Sequence, residues 1–261
     1  MTATSPIILA LDFDGVICDG LIEYFEVAWR AYCQIWLPDN DTPPDDLALR
    51  FYRLRPVIET GWEMPVLIKA LIDEIPEDKI LQEWAHITPQ ILATDKLQSK
   101  EIAIKLDSLR DEWIATDLDG WLSLHKFYPG VVEKLKLTIN SEVKLYIVTT
   151  KEGRFVQQLL QREGVNLPPT AIFGKEVKRP KYETLRELIA GADIKPGNLW
   201  FIEDRLKTLE LVEEQTDLKD VKLFLADWGY NTQPERKAAQ NNPRVQLLSL
   251  SQFAKDFSGW V

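Results

Sequence analysis

Asp12 and Asp14 stand two residues apart, with Phe13 between them and Gly15 behind them, directly after the apolar run Ile7-Ile8-Leu9-Ala10-Leu11. Acids at i and i+2 of an extended chain project to the same side, and the glycine permits a sharp turn away from the strand. Many such pairs only cap a helix or a turn. A second pair, Glu203-Asp204, follows another apolar run, Leu199-Trp200-Phe201-Ile202. If both runs end at one sheet edge, four carboxylates meet there, and their repulsion raises their pKa values unless a cation sits among them. Oxygen ligands without histidine or cysteine point to Mg²⁺, which takes one or two carboxylates, keeps several waters and shares the oxygens of a phosphorylated ligand.

The elements that must hold these acids alternate regularly. Continuous apolar runs at 7–11, 143–148, 199–202, 221–226 and, more weakly, 245–248 suit strands buried on both faces. Helical spacing covers 129–138, 154–163, 181–190 and 206–214. The alternation predicts an α/β fold, a doubly wound and mainly parallel sheet with a Rossmann-like core. Such sheets bind ligands beyond the carboxyl ends of their strands. Asp12 and Asp14, Thr149-Thr150-Lys151, the basic segment Lys178-Arg179-Pro180-Lys181 and Glu203-Asp204 all fall at such ends.

The stretch between the first strand and the second is too long for one crossover. Leu21, Phe25, Ala28, Trp29, Tyr32 and Trp36 recur at helical spacing, as do apolar residues over 67–75, 80–92 and 102–114. An inserted all-helical subdomain is expected at 20–125, leaving 1–19 and 126–261 as the α/β core. Six of the nine tryptophans, at 29, 36, 62, 84, 113 and 121, fall in the insert and read as its own core.

A chain of 261 residues can bury both parts. Its net charge of −10 argues against nucleic acid as a partner. It does not exclude a small phosphorylated molecule, because a metal ion and a few local cations reverse the sign of one pocket. Cys18 and Cys33 lack a metal-ligand spacing and fit a reducing compartment. No apolar stretch suits a signal sequence or a membrane span, so a cytoplasmic protein without a membrane partner is expected. Monomer and homodimer are both open.

In order and spacing, Asp12-Phe13-Asp14-Gly15-Val16, Thr149, a lysine within 178–181 and Glu203-Asp204 resemble the four motifs of the haloacid dehalogenase-like hydrolases. Tyr128-Pro129-Gly130-Val131 resembles the segment that returns the chain from cap to core in that family. The late strand end Ala226-Asp227-Trp228-Gly229-Tyr230 resembles its counterpart as well. The likeness covers residues 7 to about 250 and is to the capped branch, with a helical cap after the first motif, as in phosphoglycolate phosphatases and β-phosphoglucomutases.

The resemblance implies a role for each matching residue. Asp12 would be the nucleophile that forms an aspartyl-phosphate. Asp14 would protonate the leaving oxygen and then take a proton from water. The Asp12 side chain, the Asp14 carbonyl and Asp204 would hold Mg²⁺, with Glu203 as a further ligand or water holder. Thr149 would donate to a phosphoryl oxygen, with Thr150 beside it, and a lysine would neutralise shared charge. Lys181 is preferred because it starts a helix pattern with Leu185. Lys178 is the alternate, set one residue back from the family's lysine-proline pairing by Arg179.

The family's dehalogenases lack the second acid, since a halide leaves without a proton, so Asp14 favours phosphoryl transfer. A Mg²⁺-dependent phosphatase acting on a small phosphate ester is expected. A sugar-phosphate mutase and an inactive binding or regulatory relative are the alternatives. In the insert, Arg53 and Arg55 could grip a second anionic group of the substrate. The stronger reading pairs the cap arginines with neighbouring Asp45, Asp46 and Glu59 on a solvated helix.

Overall fold

The apolar runs close into one parallel sheet. The computed structural model describes residues 5–260. Its strands are β1 (Ile8–Leu11), β2 (Cys18–Asp19), β3 (Lys126–Phe127), β4 (Lys144–Val148), β5 (Ile172–Phe173), β6 (Leu199–Glu203), β7 (Lys222–Ala226) and β8 (Val245–Leu248). Six of them form a sheet in the order β5-β4-β1-β6-β7-β8, and every pairing in it is parallel. β2 and β3 form a separate antiparallel pair. The central strand β1 is fully buried along its length, which is why its sequence is continuously apolar rather than alternating.

The chain divides into two compact units, Met1–Asp19 with Lys126–Val261, and Gly20–His125. The second unit is helical: α1 (Leu21–Trp36), α2 (Leu47–Leu54), α3 (Glu63–Ile72), α4 (Glu77–Thr94), α5 (Ser99–Thr116) and α6 (Leu118–Ser123). Three of its tryptophans, at 29, 84 and 121, are buried. Those at 36, 62 and 113 lie at its margin, where Trp36 Nε1 donates to Asp95 and the Arg30 guanidinium covers the Trp113 ring at 3.7 Å. Glu23 is wholly buried. Its carboxylate accepts from Arg110 Nε at 2.7 Å and Trp121 Nε1 at 3.0 Å, joining α1 to α5 and α6.

In the first unit, α7 (Val131–Ile139), α8 (Gly153–Arg162), α9 (Lys181–Ala192), α10 (Leu206–Glu213), α11 (Gln233–Asn241) and α12 (Leu250–Phe253) accompany the sheet. Strand alternation sorts the core into two layers. Ile8, Ala10, Leu199, Phe201, Leu223 and Leu225 pack with Leu185 and Leu188 of α9 and Leu206, Leu209 and Val212 of α10. On the alternate positions, Trp200 and Phe224 meet Trp260 at ring separations of 5.8 and 5.7 Å. Phe253 stacks on Trp260 at 5.2 Å. No helix among the described residues is long and apolar enough to cross a membrane.

Several elements had no sequence-level expectation. β5 is two residues long and follows Pro168-Pro169, too short to show a period. The partners of β2 and β3 lie far apart in sequence, so no local pattern announces them. α11 buries only Ala239 and therefore lacks an apolar stripe. Its signals are the capping box of Thr232 and Glu235 and the proline, Pro234, in its first turn.

Removing Glu23 would leave the Arg110 guanidinium with only the more distant carboxylate of Asp107, 3.9 Å away. Glu23→Ala is expected to destabilise the chain by about 3 kcal/mol in denaturant unfolding. The double variant Glu23→Ala/Arg110→Ala should lose clearly less than the two single losses added together. Additive losses would show that the pair does not act as a unit.

Candidate active site

Parallel register brings three strand ends level. Leu11 pairs with Ile147 of β4 and with Ile202 of β6, so Asp12 falls in the row of Val148 and Glu203, with Thr149 and Asp204 one residue further. The Asp12 N–H donates to the Ile202 carbonyl at 2.9 Å, which fixes its backbone to the ladder. β1 and β6 adjoin where the strand order reverses, the place where open α/β sheets form a ligand crevice. Asp12, Thr149, Glu203 and Asp204 are buried, whereas Asp14 is partly exposed.

After Asp12 the chain turns tightly. The N–H groups of Ile17 and Cys18 both donate to the Phe13 carbonyl at 2.9 Å, and Gly15 N–H donates to Cys18 O at 2.8 Å. Gly15 has φ +88°, and a β-carbon there would lie 2.1 Å from Asp204 Oδ2. At Gly229 a β-carbon would lie 2.3 Å from Asp204 Cβ. Both glycines are needed for the backbone to close around Asp204. Tyr230 N–H then donates to Asp204 Oδ2 at 2.7 Å, and Asn231 Nδ2 to the Asp204 carbonyl at 2.9 Å. The sequence singled out this strand end but gave Gly229, Tyr230 and Asn231 no part in the site; glycine just after a strand was the available signal.

Lys181 opens α9 and places Nζ 2.6 Å from Asp12 Oδ1 and 2.6 Å from Glu203 Oε2. The other Glu203 oxygen accepts the backbone N–H groups of Asp204 and Arg205, each at 3.1 Å. Lys178 ends a short 3₁₀ turn with φ +49°. It is exposed, and its ammonium has no hydrogen bond or ion pair among the described residues. The two candidate lysines are thus separated: Lys181 stands among the acids and Lys178 outside them.

On the β4 side, Lys151 Nζ lies 3.2 Å from Asp14 Oδ1. The Lys151 N–H donates to Thr149 Oγ1 at 3.1 Å, so the Thr149 hydroxyl hydrogen is left for another acceptor. Thr150 is exposed beside it. The loops carrying Thr149 and Lys181 are stitched together. Lys175 N–H donates to the Lys151 carbonyl at 2.9 Å, and Gly153 N–H donates to Glu176 Oε2 at 3.1 Å. A β-carbon on Gly174 would come within 2.4 Å of the Gly153 nitrogen. Nothing in the sequence pointed to Glu176. In the helical unit, Arg50 and Arg53 converge on Glu77 at 3.0 and 2.9 Å. Arg55 Nη1 donates to the Ile58 carbonyl at 3.0 Å, with the guanidinium over the Tyr24 ring.

One ligand oxygen from each of Asp12, Glu203 and Asp204 can lie within 4.8 Å of the other two. Burial pushes Asp12 from 3.8 up to about 7; Lys181 opposes this, while Glu203 and Asp14 add to it. Burial, then the charges of Glu203 and Asp12, push Asp204 well above the usual carboxylate range, with the Tyr230 N–H opposing. Burial alone would lower Lys181, but Asp12 and Glu203 outweigh it and raise the ammonium's pKa. A buried, oxygen-only, charge-deficient group of this kind suits a hard divalent cation.

An acid whose folded pKa exceeds its unfolded value stabilises the fold below that range and ceases to as pH rises through it. For Asp12 the window runs from about 4 to about 7. In chelator near pH 8, Asp12→Asn and Asp204→Asn should therefore each raise Tm, by about 3 °C or more. The gap between wild type and Asp12→Asn should narrow on acidification to about pH 5.5. A lower Tm for both variants near pH 8 would refute the charge strain.

Comparison with known proteins adds the family. The model of the haloacid dehalogenase-like hydrolases matches residues 68–211, more than half of the chain, including Thr149, Lys181 and Glu203-Asp204. No curated protein matches the sequence. Among solved structures, a predicted phosphatase from Clostridium acetobutylicum has 15% identity and a TM-score of 0.60, covering 96% of this chain and 97% of that one. A predicted phosphoglycolate phosphatase from Haemophilus somnus has 14% identity and a TM-score of 0.59, covering 99% and 97%. A haloacid dehalogenase-like hydrolase from Streptococcus pneumoniae has 13% identity and a TM-score of 0.56, covering 95% and 94%. At these identities the structures share the fold. With the family model spanning three of the four motif positions, the chain belongs to the haloacid dehalogenase-like hydrolases.

Proposed function

We propose that the protein is a Mg²⁺-dependent phosphatase that hydrolyses a small phosphorylated metabolite through an aspartyl-phosphate on Asp12. The observation that carries this reading is the convergence of Asp12, Lys181, Glu203 and Asp204 at one strand edge. Two solved relatives of the same fold bear phosphatase names, which supports it.

Asp12 has one oxygen bonded to Lys181 and the other available to attack phosphorus. Attack forms the Asp12–phosphorus bond as the ester oxygen departs, and Asp14 gives that oxygen its proton. In the second step water attacks the aspartyl-phosphate, Asp14 takes the water proton, and phosphate leaves with the Asp12 carboxylate restored. Thr149 donates its hydroxyl hydrogen to a phosphoryl oxygen, and Lys181 holds charge shared by Asp12 and the phosphate. Glu203, with one oxygen on Lys181 and the other on two backbone N–H groups, keeps that ammonium in place.

Asp12, Asp204 and the Asp14 carbonyl would hold Mg²⁺, which when bound supplies charge neutralisation for the phosphoryl group. Arg53 and Arg55 enter no step, because their guanidiniums have partners within the helical unit. The helical unit 20–125 takes the part of the family's cap in this reading. Two free cysteines, Cys18 and Cys33, suit a cytoplasmic setting.

Phosphate release from an aryl phosphate should require Mg²⁺ and stop in chelator. Asp12→Asn should lower the rate by at least about 10³-fold, and Lys181→Ala by about 10²-fold or more. A wild-type rate in Asp12→Asn would end the proposal.

A further inference from the structure

The loop from Gly174 to α9 carries Lys175, Lys178, Arg179 and Lys181, a dense run of cations in a chain of net charge −10. Between this loop and Thr149-Thr150 lies a cavity of about 360 Å³. Those six residues supply its polar lining together with Thr184, and no carboxylate among the described residues lines it. Two acids of the loop and α9 have partners of their own. Glu176 accepts the Gly153 N–H, and Glu187 pairs with Arg179, whose Nε also donates to Thr184 at 3.0 Å.

Lys178 differs from its neighbours. Its ammonium has no hydrogen bond or ion pair among the described residues. Its backbone sits at φ +49°, the left-handed region that costs a residue with a β-carbon roughly 1 kcal/mol or more. A cation held in that conformation at the wall of a cavity is poised for an anion from outside the chain. The cavity also exceeds what one phosphoryl group needs, and falls within the size range of small-ligand pockets. Thr149 and Lys181, the residues assigned to the scissile phosphate, are among the residues that line it.

We propose that this recess is a second oxyanion subsite, which takes a carboxylate or a second phosphate borne by the same substrate, with Lys178 as its cation and Thr150 as a hydrogen-bond donor. The inference rests on the phosphatase reading for the position of the first phosphate. The substrate class is then a phosphate ester with a further oxyanion a few atoms from the scissile bond. Lys178 acts on substrate binding, and Lys181 on the reacting phosphate.

The test uses the full chain with Mg²⁺ and three esters of matched length: an alkyl phosphate, the same ester ending in a carboxylate, and the alkane bisphosphate. Wild type should favour at least one ester bearing the second oxyanion over the plain alkyl phosphate by about tenfold or more, mainly through KM. Whether carboxylate or phosphate is favoured identifies the natural oxyanion. Lys178→Ala should reduce that preference by about tenfold, Lys178→Arg should keep most of it, and Lys178→Glu should abolish it. No preference in wild type, or one that survives Lys178→Ala, overturns the subsite. A second readout needs no turnover: pyrophosphate titrated by calorimetry into the Asp12→Asn chain in chelator. Its affinity should fall about tenfold on adding Lys178→Ala, and equal affinity would contradict the proposal. If wild type hydrolyses no ester yet pyrophosphate binding depends on Lys178, the phosphatase reading fails and the anion recess stands.

Discussion

The Lys181 ammonium touches Asp12 and Glu203 at 2.6 Å each, while a third buried carboxylate, Asp204, shares the same cluster. One such charge cannot balance three. Two like charges 4–5 Å apart at an effective dielectric of about 20 repel by roughly 3–4 kcal/mol, comparable with what one or two buried Leu or Phe side chains contribute. The acids therefore do not gather because they attract. They are carried together by a sheet whose core forces the register, and they are held there by fixed backbone donors. Glu203 takes two N–H groups and Asp204 takes one.

That constraint explains the shape of the surrounding loops. The Asp204 carboxylate is closed in by backbone at Gly15 and Gly229, where a β-carbon would collide with it. Close backbone leaves less room for water, so burial raises the acids' pKa values, and the cluster is then strained without a cation. The same loops set the cations' positions. The link from Lys175 to Lys151, and from Glu176 to the start of α8, keeps the segment bearing Lys181 in step with the segment bearing Thr149. Lys151 in turn reaches Asp14.

Much of this could be read from residue order, for a physical reason. Strands buried on both faces are apolar throughout, so 8–11 and 199–202 stand out, and the polar residue that ends each run marks the sheet edge. The α/β class follows from that pattern, and the residues at the run ends carry the resemblance to the family. What could not be read is the set of contacts made by backbone atoms or by residues with no periodic partner. The Tyr230 N–H on Asp204 depends on a turn, not on a side chain. Glu176 is an acid in a basic loop and looks like any solvated charge. The partner of Arg53 was sought among Asp45, Asp46 and Glu59, whereas the structure pairs it with Glu77 on the next helix but one, a tertiary choice outside local spacing.

Lys178 and Lys181 show where sequence spacing stops being enough. Both are lysines before the same helix, three residues apart, and the difference lies in their backbones. Lys181 begins α9, so its side chain shares the helix's fixed direction toward the strand edge. Lys178 closes a 3₁₀ turn in the left-handed region and stays outside the cluster. A charge inside the cluster is spent on the acids, whereas a charge outside it is available to a ligand. The charged pairs of the helical unit, Glu23 with Arg110 and Arg53 with Glu77, are likewise satisfied within that unit. Lys178, on the core's own loop, is such an available charge, and it is there that recognition of a second anion has its cation.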